Sequence, residues 1–127
     1  MKICIAGSRC VTDPGAIEIG ISHLERTLID FDRKMITGVI SGTARGADRS
    51  GEAWARSNGI PVYRHPADWD RFGISAGHRR NLEMANISDA VICWWDGNSR
   101  GTANMIECAK AQWKLMRVFD TRGRSLF

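Results

Sequence analysis

Apolar residues along this chain fall into two spacings, short unbroken runs and stripes recurring every three or four positions. The alternation predicts strands separated by helices. Residues 2–6 form the first apolar run. Asp13-Pro14 then reads as a helix start, a capping Asp followed by Pro at the first helical position. Ile17, Ile21, Leu24 and Leu28 continue it as one apolar stripe. Residues 35–40 predict a second strand, and 47–58 a second helix closed by Asn58-Gly59. Residues 61–64 predict a short edge strand, because Pro61 cannot donate to a ladder. A polar, aromatic loop is expected at 65–75 and a helix at 76–86. The most apolar strand is expected at 90–95. A helix at 102–113 would place Ile106, Ala109 and Trp113 on one face, and a last strand at 115–119 precedes a tail over 121–127.

Strands separated by helices imply an α/β protein, a doubly wound, mostly parallel sheet of about five strands with helices on both faces. In such a sheet a ligand sits at the carboxyl edge of the strands, near the switch point. Glycine turns follow three of the expected strands: Gly7-Ser8-Arg9, the stretch Ser41-Gly42-Thr43-Ala44-Arg45-Gly46-Ala47-Asp48, and Asn98-Ser99-Arg100-Gly101-Thr102. The latter two run into helices, whose free N–H groups and positive dipole ends suit phosphate. The three turns are expected to converge at one sheet edge.

At 127 residues the chain is read as one domain, residues 1–127. No apolar run is long enough to span a bilayer, and the first residues enter a strand rather than a signal peptide. Cys4, Cys10, Cys93 and Cys108 form no metal-ligand spacing, so no metal site is expected and the thiols read as those of a reduced, cytoplasmic protein. The formal net charge is +4. Arg9, Arg45, Arg64, Arg71, Arg79, Arg80 and Arg100 fall in or just after the turns that follow strands. A nucleic-acid surface would instead place basic residues along one helix or tail. Nucleic acid is therefore disfavoured as a partner, and a small anionic ligand is expected.

Four segments together resemble a known family. They are Ile5-Ala6-Gly7-Ser8-Arg9, the Ser41–Asp48 turn, the block from His65-Pro66-Ala67-Asp68-Trp69-Asp70 to Ala76-Gly77-His78-Arg79-Arg80-Asn81-Leu82-Glu83-Met84, and Gly101-Thr102-Ala103-Asn104-Met105. Over roughly residues 2–119 the chain resembles the YspA-type branch of the SLOG superfamily, which is similar to the LOG phosphoribohydrolases and to the DNA-processing protein Smf. The resemblance implies a Rossmann-like sheet, a commonly oligomeric protein, and a nucleotide-derived ligand such as ADP-ribose, an NAD fragment or a cyclic signalling nucleotide. No cofactor is implied. It leaves open a second function, hydrolysis of the N-ribosidic bond of nucleoside 5′-monophosphates. Carried over by position, the LOG arginine falls on Arg80, while Asn81 replaces the lysine beside it. The LOG acid falls on Met105. Glu107, two positions on, lies roughly 200° around the helix.

The candidate ligand residues are thus Gly7, Ser8 and Arg9, with Ser8 donating to an oxyanion; Gly42, Thr43, Arg45 and Gly46 through close backbone approach; and Asn98, Arg100, Gly101 and Thr102. Asp48 is either part of the site or a helix-start carboxylate complementing the dipole. Asp68 and Trp69 are candidates in the aromatic loop, and Asp70 and Glu107 are the carboxylates a hydrolase would recruit. Of Arg79 and Arg80, whose side chains diverge, the spacing to Met84 selects Arg80 for phosphate; the alternative is a surface ion pair with Asp89 or Glu83. Of Trp94 and Trp95, one belongs to the core and the other to a base or a subunit contact.

Overall fold

The computed structural model describes residues 1–126; Phe127, the end of the expected tail, lies outside them. The strands β1 (Lys2–Gly7), β2 (Gly38–Ser41), β3 (Val62–Arg64), β4 (Ala90–Trp94) and β5 (Leu115–Phe119) form one sheet in the order β3-β2-β1-β4-β5. Every pairing is parallel, so the fold is the α/β doubly wound arrangement the sequence predicts. Helices α1 (Pro14–Thr27) and α2 (Ala47–Ser57) cover one face, and α4 (Ala76–Ile87) and α5 (Arg100–Ala111) the other, with a short α3 (Trp69–Phe72) in the β3–β4 crossover.

The period-2 geometry of β1 explains the two cores. Ile3 and Ile5 pack with Ile17, Ile21 and Leu24 of α1, whereas Cys4 and Ala6 pack with Met84, Met105 and Ala109 of α4 and α5. Trp94 is fully buried on the α1 side and donates its Nε1–H to the Ala16 carbonyl at 2.9 Å. Trp95 points to the opposite side and donates to the Ser99 carbonyl at 3.1 Å, closing the turn after β4.

Three boundaries differ from the sequence expectation, and each has a polar capping side chain at its start. β2 starts at Gly38, not Met35, because residues 33–35 form a 3-10 turn in which Asp32 accepts from the Lys34 N–H at 2.8 Å. The loop expected at 65–75 contains α3 and a 3-10 turn, with Asp68 accepting from the Arg71 N–H at 3.1 Å. α5 starts at Arg100 behind the cap Ser99 and stops at Ala111. Trp113 therefore leaves the apolar stripe. It takes φ 57° beyond the helix end, where the Trp113 N–H bonds to Lys110 and the Lys114 N–H to Ala109, and its side chain is exposed.

The chain runs outward from β1 through β2 to β3, then crosses back to place β4 on the other side of β1. The carboxyl ends of β1 and β4 therefore frame the switch point. All three glycine turns meet there, joined by hydrogen bonds: Ser8 N–H to the Trp94 carbonyl at 2.9 Å, and Ala47 N–H to the Ser8 carbonyl at 3.1 Å.

Candidate functional site

A cleft of about 310 Å³ opens at this edge. The end of β1 and the turn after it deliver Gly7 and Arg9 to it, the turn after β2 delivers Ala44 and Arg45, and the first turn of α2 delivers Asp48. Trp69 and Ile74 come from the β3–β4 crossover; Gly77, His78, Arg80 and Asn81 from the start of α4; Ser99, Gly101 and Thr102 from the start of α5. The N-terminal turns of α2, α4 and α5 thus border one cavity. Their partial positive charges add to three guanidinium groups, and the one carboxylate on the lining is Asp48.

Asp48 is 4% exposed and accepts from the Ala44 N–H at 3.1 Å and from the Gly7 N–H. Burial lifts its pKa from 3.8 to about 6, opposed by those N–H bonds and the nearby Arg80 charge and reinforced by Glu52. Arg80 is half-buried. Its Nη1 donates to the Gly42 carbonyl at 2.6 Å and its Nε to Asn81 Oδ1 at 3.0 Å. Neither Asp89 nor Glu83 pairs with it, so the surface ion pair considered from sequence does not form. Gly42 makes room for both charged groups: a Cβ there would lie 2.8 Å from Arg80 Nη1 and 2.8 Å from Asp48 Oδ2.

Eight of the sequence candidates line the cleft: Gly7, Arg9, Arg45, Asp48, Trp69, Arg80, Gly101 and Thr102. The others stand behind or beside it. Ser8 is buried and its Oγ accepts from the Asp96 N–H at 3.0 Å, so it bolts the β1 turn to the β4 turn rather than facing an oxyanion. Thr43 takes φ 67° and gives its N–H to Ser41 Oγ at 3.1 Å, while Ser41 Oγ donates to the buried Glu52 at 2.6 Å. Gly42, Thr43 and Gly46 therefore shape the turn. Asp68 caps α3, and the Asn98 N–H is taken by Asp96 Oδ1 at 2.8 Å. Arg79 is exposed over the Phe72 ring at 4.3 Å, and Arg100, Asp70 and Glu107 are exposed outside the lining. Arg64 belongs to Glu52, at 2.8 Å.

Met105 lines the cleft at 1% exposure, where the LOG signature carries its acid. Sequence reading overlooked Asn81 and Ser99. Asn81 Nδ2 donates to the Gly101 carbonyl at 3.2 Å and to Asn104 Oδ1 at 2.9 Å, tying α4 to α5 while its Oδ1 aims Arg80. Its role depends on how two helices pack, which no local signal encodes. Ser99 did carry a signal, a Ser directly before a helix, hidden by placing the helix start at 102.

The Asp48 carboxyl gives a pH signature. Between pH 3.8 and about 6 the folded chain holds this proton and the unfolded chain does not. Charged Asp48 thus costs stability above pH 6, by about 3 kcal/mol at most, and the cost fades toward pH 4. The stability of Asp48→Asn relative to wild type, from urea titrations, should therefore rise by about that amount between pH 4 and pH 8. Parallel pH profiles would show that Asp48 is not desolvated. Glu18, held down to about 2 chiefly by its hydrogen bonds from Arg33, acts in the opposite sense: its contribution is present above its ordinary 4.5 and lost as pH falls toward 2.

Among the described residues no His, Cys, Asp and Glu cluster fits a metal ion, and no helix is long and apolar enough to cross a membrane. Cys4 and Cys93 are buried, and burial pushes the Cys93 thiol up to about 12.

The fold and cleft define a Rossmann-like α/β protein with a basic pocket at its switch point. Residues 1–72 match the YspA, cpYpsA-related SLOG family, and the chain belongs to it. It is also similar to the Gene 61 protein of Mycobacterium phage D29, at 40% identity over 80 residues. That match covers 58% of this chain and spans 64% of the length of that relative. No solved structure matches this chain.

Proposed function

We propose that residues 1–127 form one SLOG-type domain that binds a nucleotide-derived, phosphate-bearing small molecule, of the class of ADP-ribose, an NAD fragment or a cyclic signalling nucleotide, as a sensor or a sequestering module. The observation that carries this reading is the convergence of three helix N-termini with Arg9, Arg45 and Arg80 on a cleft of about 310 Å³, a size that accommodates a small molecule. Family membership points the same way. Calorimetric titration with ADP-ribose, NAD, AMP and cyclic nucleotides tests it. At least one should bind with an affinity that falls as salt rises, and failure of all of them would reject the phosphate site.

Hydrolysis of nucleoside monophosphates is the second reading, and Asp48 is the observation in its favour, a carboxyl facing the cleft with a pKa near that of a general acid. Such chemistry needs an oxocarbenium-stabilising carboxylate as well. Met105 occupies the position from which the LOG enzymes supply it, and the lining holds no second acid. Binding without turnover is therefore the better fit. Incubation of AMP and CMP with the protein should release little free base, and Asp48→Asn should tighten phosphate binding at pH 8 by removing the one negative charge facing the ligand. Multiple-turnover base release that disappears in Asp48→Asn would establish the hydrolase instead.

A further inference from the structure

The cleft is lined by two unlike groups of side chains. Arg9, Arg45 and Arg80 supply charge; Trp69 and Ile74 of the β3–β4 crossover, 59% and 98% exposed, supply apolar surface. Large apolar side chains left this open beside a charged cavity suggest a surface that a ligand covers.

The neighbouring aromatic shows why Trp69 differs. Phe72, three residues on and in the same short helix, is already occupied on its ring by Arg71 at 4.9 Å and Arg79 at 4.3 Å. Phe72 thus has cationic partners of its own, one from its own helix and one from α4. The Trp69 side chain has no aromatic, cationic or hydrogen-bonding partner among the described residues. Its indole edge instead lies along Gly77 at the start of α4, where a Cβ would come within 3.3 Å of Cη2. The absent side chain at Gly77 lets the ring lie close to the α4 backbone beside the cavity.

We propose that Trp69, backed by Gly77 and flanked by Ile74, is a base-stacking subsite, so that the ligand is a nucleotide carrying an intact aromatic base rather than a base-free sugar phosphate. This rests on the phosphate-site reading above and deepens it. The phosphate faces Arg9, Arg45 and Arg80, the base lies on the indole, and the sugar joins them across the cleft. An aromatic platform of this kind tolerates different bases, because every base presents a π-face.

The test compares AMP with ribose 5-phosphate by calorimetric titration on the full chain. AMP should bind roughly ten- to a hundredfold more tightly. Trp69→Ala should bring AMP down to the ribose 5-phosphate level while leaving ribose 5-phosphate unchanged. Trp69→Phe, which keeps a ring, should restore most of the difference. Equal affinities for the two probes in wild type, or an AMP preference that survives Trp69→Ala, would overturn the base subsite while leaving the phosphate site standing. Failure of both probes and of ADP-ribose to bind would overturn the two together. Circular dichroism separates either result from misfolding, and Trp69, exposed and unpartnered, is not expected to affect it.

Discussion

Replacing Gly46 by alanine should cost on the order of 3–5 kcal/mol of folding stability. Gly46 precedes α2 with φ 90° and ψ −129°, a conformation that side chains rarely adopt. A Cβ there would also lie 2.3 Å from the Ser8 carbonyl oxygen and 2.5 Å from Arg9 Cα. Those are backbone atoms and cannot swing aside. The backbone they belong to is pinned: the Ser8 N–H bonds to the Trp94 carbonyl at 2.9 Å, and the Ser8 carbonyl accepts from Ala47 at 3.1 Å and from Val11 at 3.3 Å. Relief of the clash therefore means parting the turns after β1 and β2, and with them the floor of the cleft. Gly101→Ala is the matched control, because nothing lies within 4 Å of a Cβ at that position; it should change stability by about 0.5 kcal/mol or less. Guanidinium denaturation of the two variants measures both. A Gly46→Ala protein within about 1 kcal/mol of wild type would mean the turns yield far more readily than this hydrogen-bond pattern allows.

The same crowding explains what the sequence could and could not reveal. The layered architecture was legible because it rests on periodicity: the unbroken run in β4 and the three- and four-residue stripe of α1 each admit one reading. Element ends were less so. Asp32, Asp68 and Ser99 each start a turn or helix that the surrounding pattern did not announce, and a cap is a single polar residue easily outvoted by its neighbours. The Trp113 misplacement has the same origin, since a terminating left-handed residue is usually Gly, as at Gly59, and here is a tryptophan.

The location of the site followed from topology, because turns after parallel strands share one edge. Which side chains face the cavity did not follow. Ser8 and Thr43 are ordinary anion-binding residue types, yet their polar groups are spent on neighbouring turns. Arg79 and Arg80 are adjacent and chemically identical, and only packing separates them: one lies on Phe72, the other reaches under Gly42. Asp48 read equally as a site residue and as a helix-start carboxylate. Its burial beside Arg80 depends on the missing side chain at Gly42, a contact six residues away in sequence and set by tertiary structure.

Arg80→Ala should weaken nucleotide-phosphate binding by about 2–4 kcal/mol. Two of the three guanidinium nitrogens hold the group in place, Nη1 on the Gly42 carbonyl and Nε on Asn81 Oδ1, which leaves Nη2 without a protein partner. A ligand phosphate meeting this group meets a cation already oriented and partly stripped of water, the condition under which a charge-assisted bond is strongest. Arg80→Lys should recover only part of the loss, because the three donors of an ammonium sit on one atom and cannot span the Gly42 and Asn81 oxygens as the planar guanidinium does while also facing the cleft. The substitution to alanine should also lower the stability of the ligand-free protein, by about 1–2 kcal/mol, since the Gly42 and Asn81 oxygens each lose a donor and Asp48 loses its nearest cation. The Asp48 carboxyl should then titrate at still higher pH. Arg79→Ala supplies the comparison: exposed and stacked on Phe72 outside the lining, it should change phosphate binding by about 0.5 kcal/mol or less. Titration of both variants with the same nucleotide, at a temperature where each is folded, gives the answer. Equal losses from the two substitutions would sink the assignment, for they would mean that the arginines act through the overall positive field and not through the anchored guanidinium of Arg80.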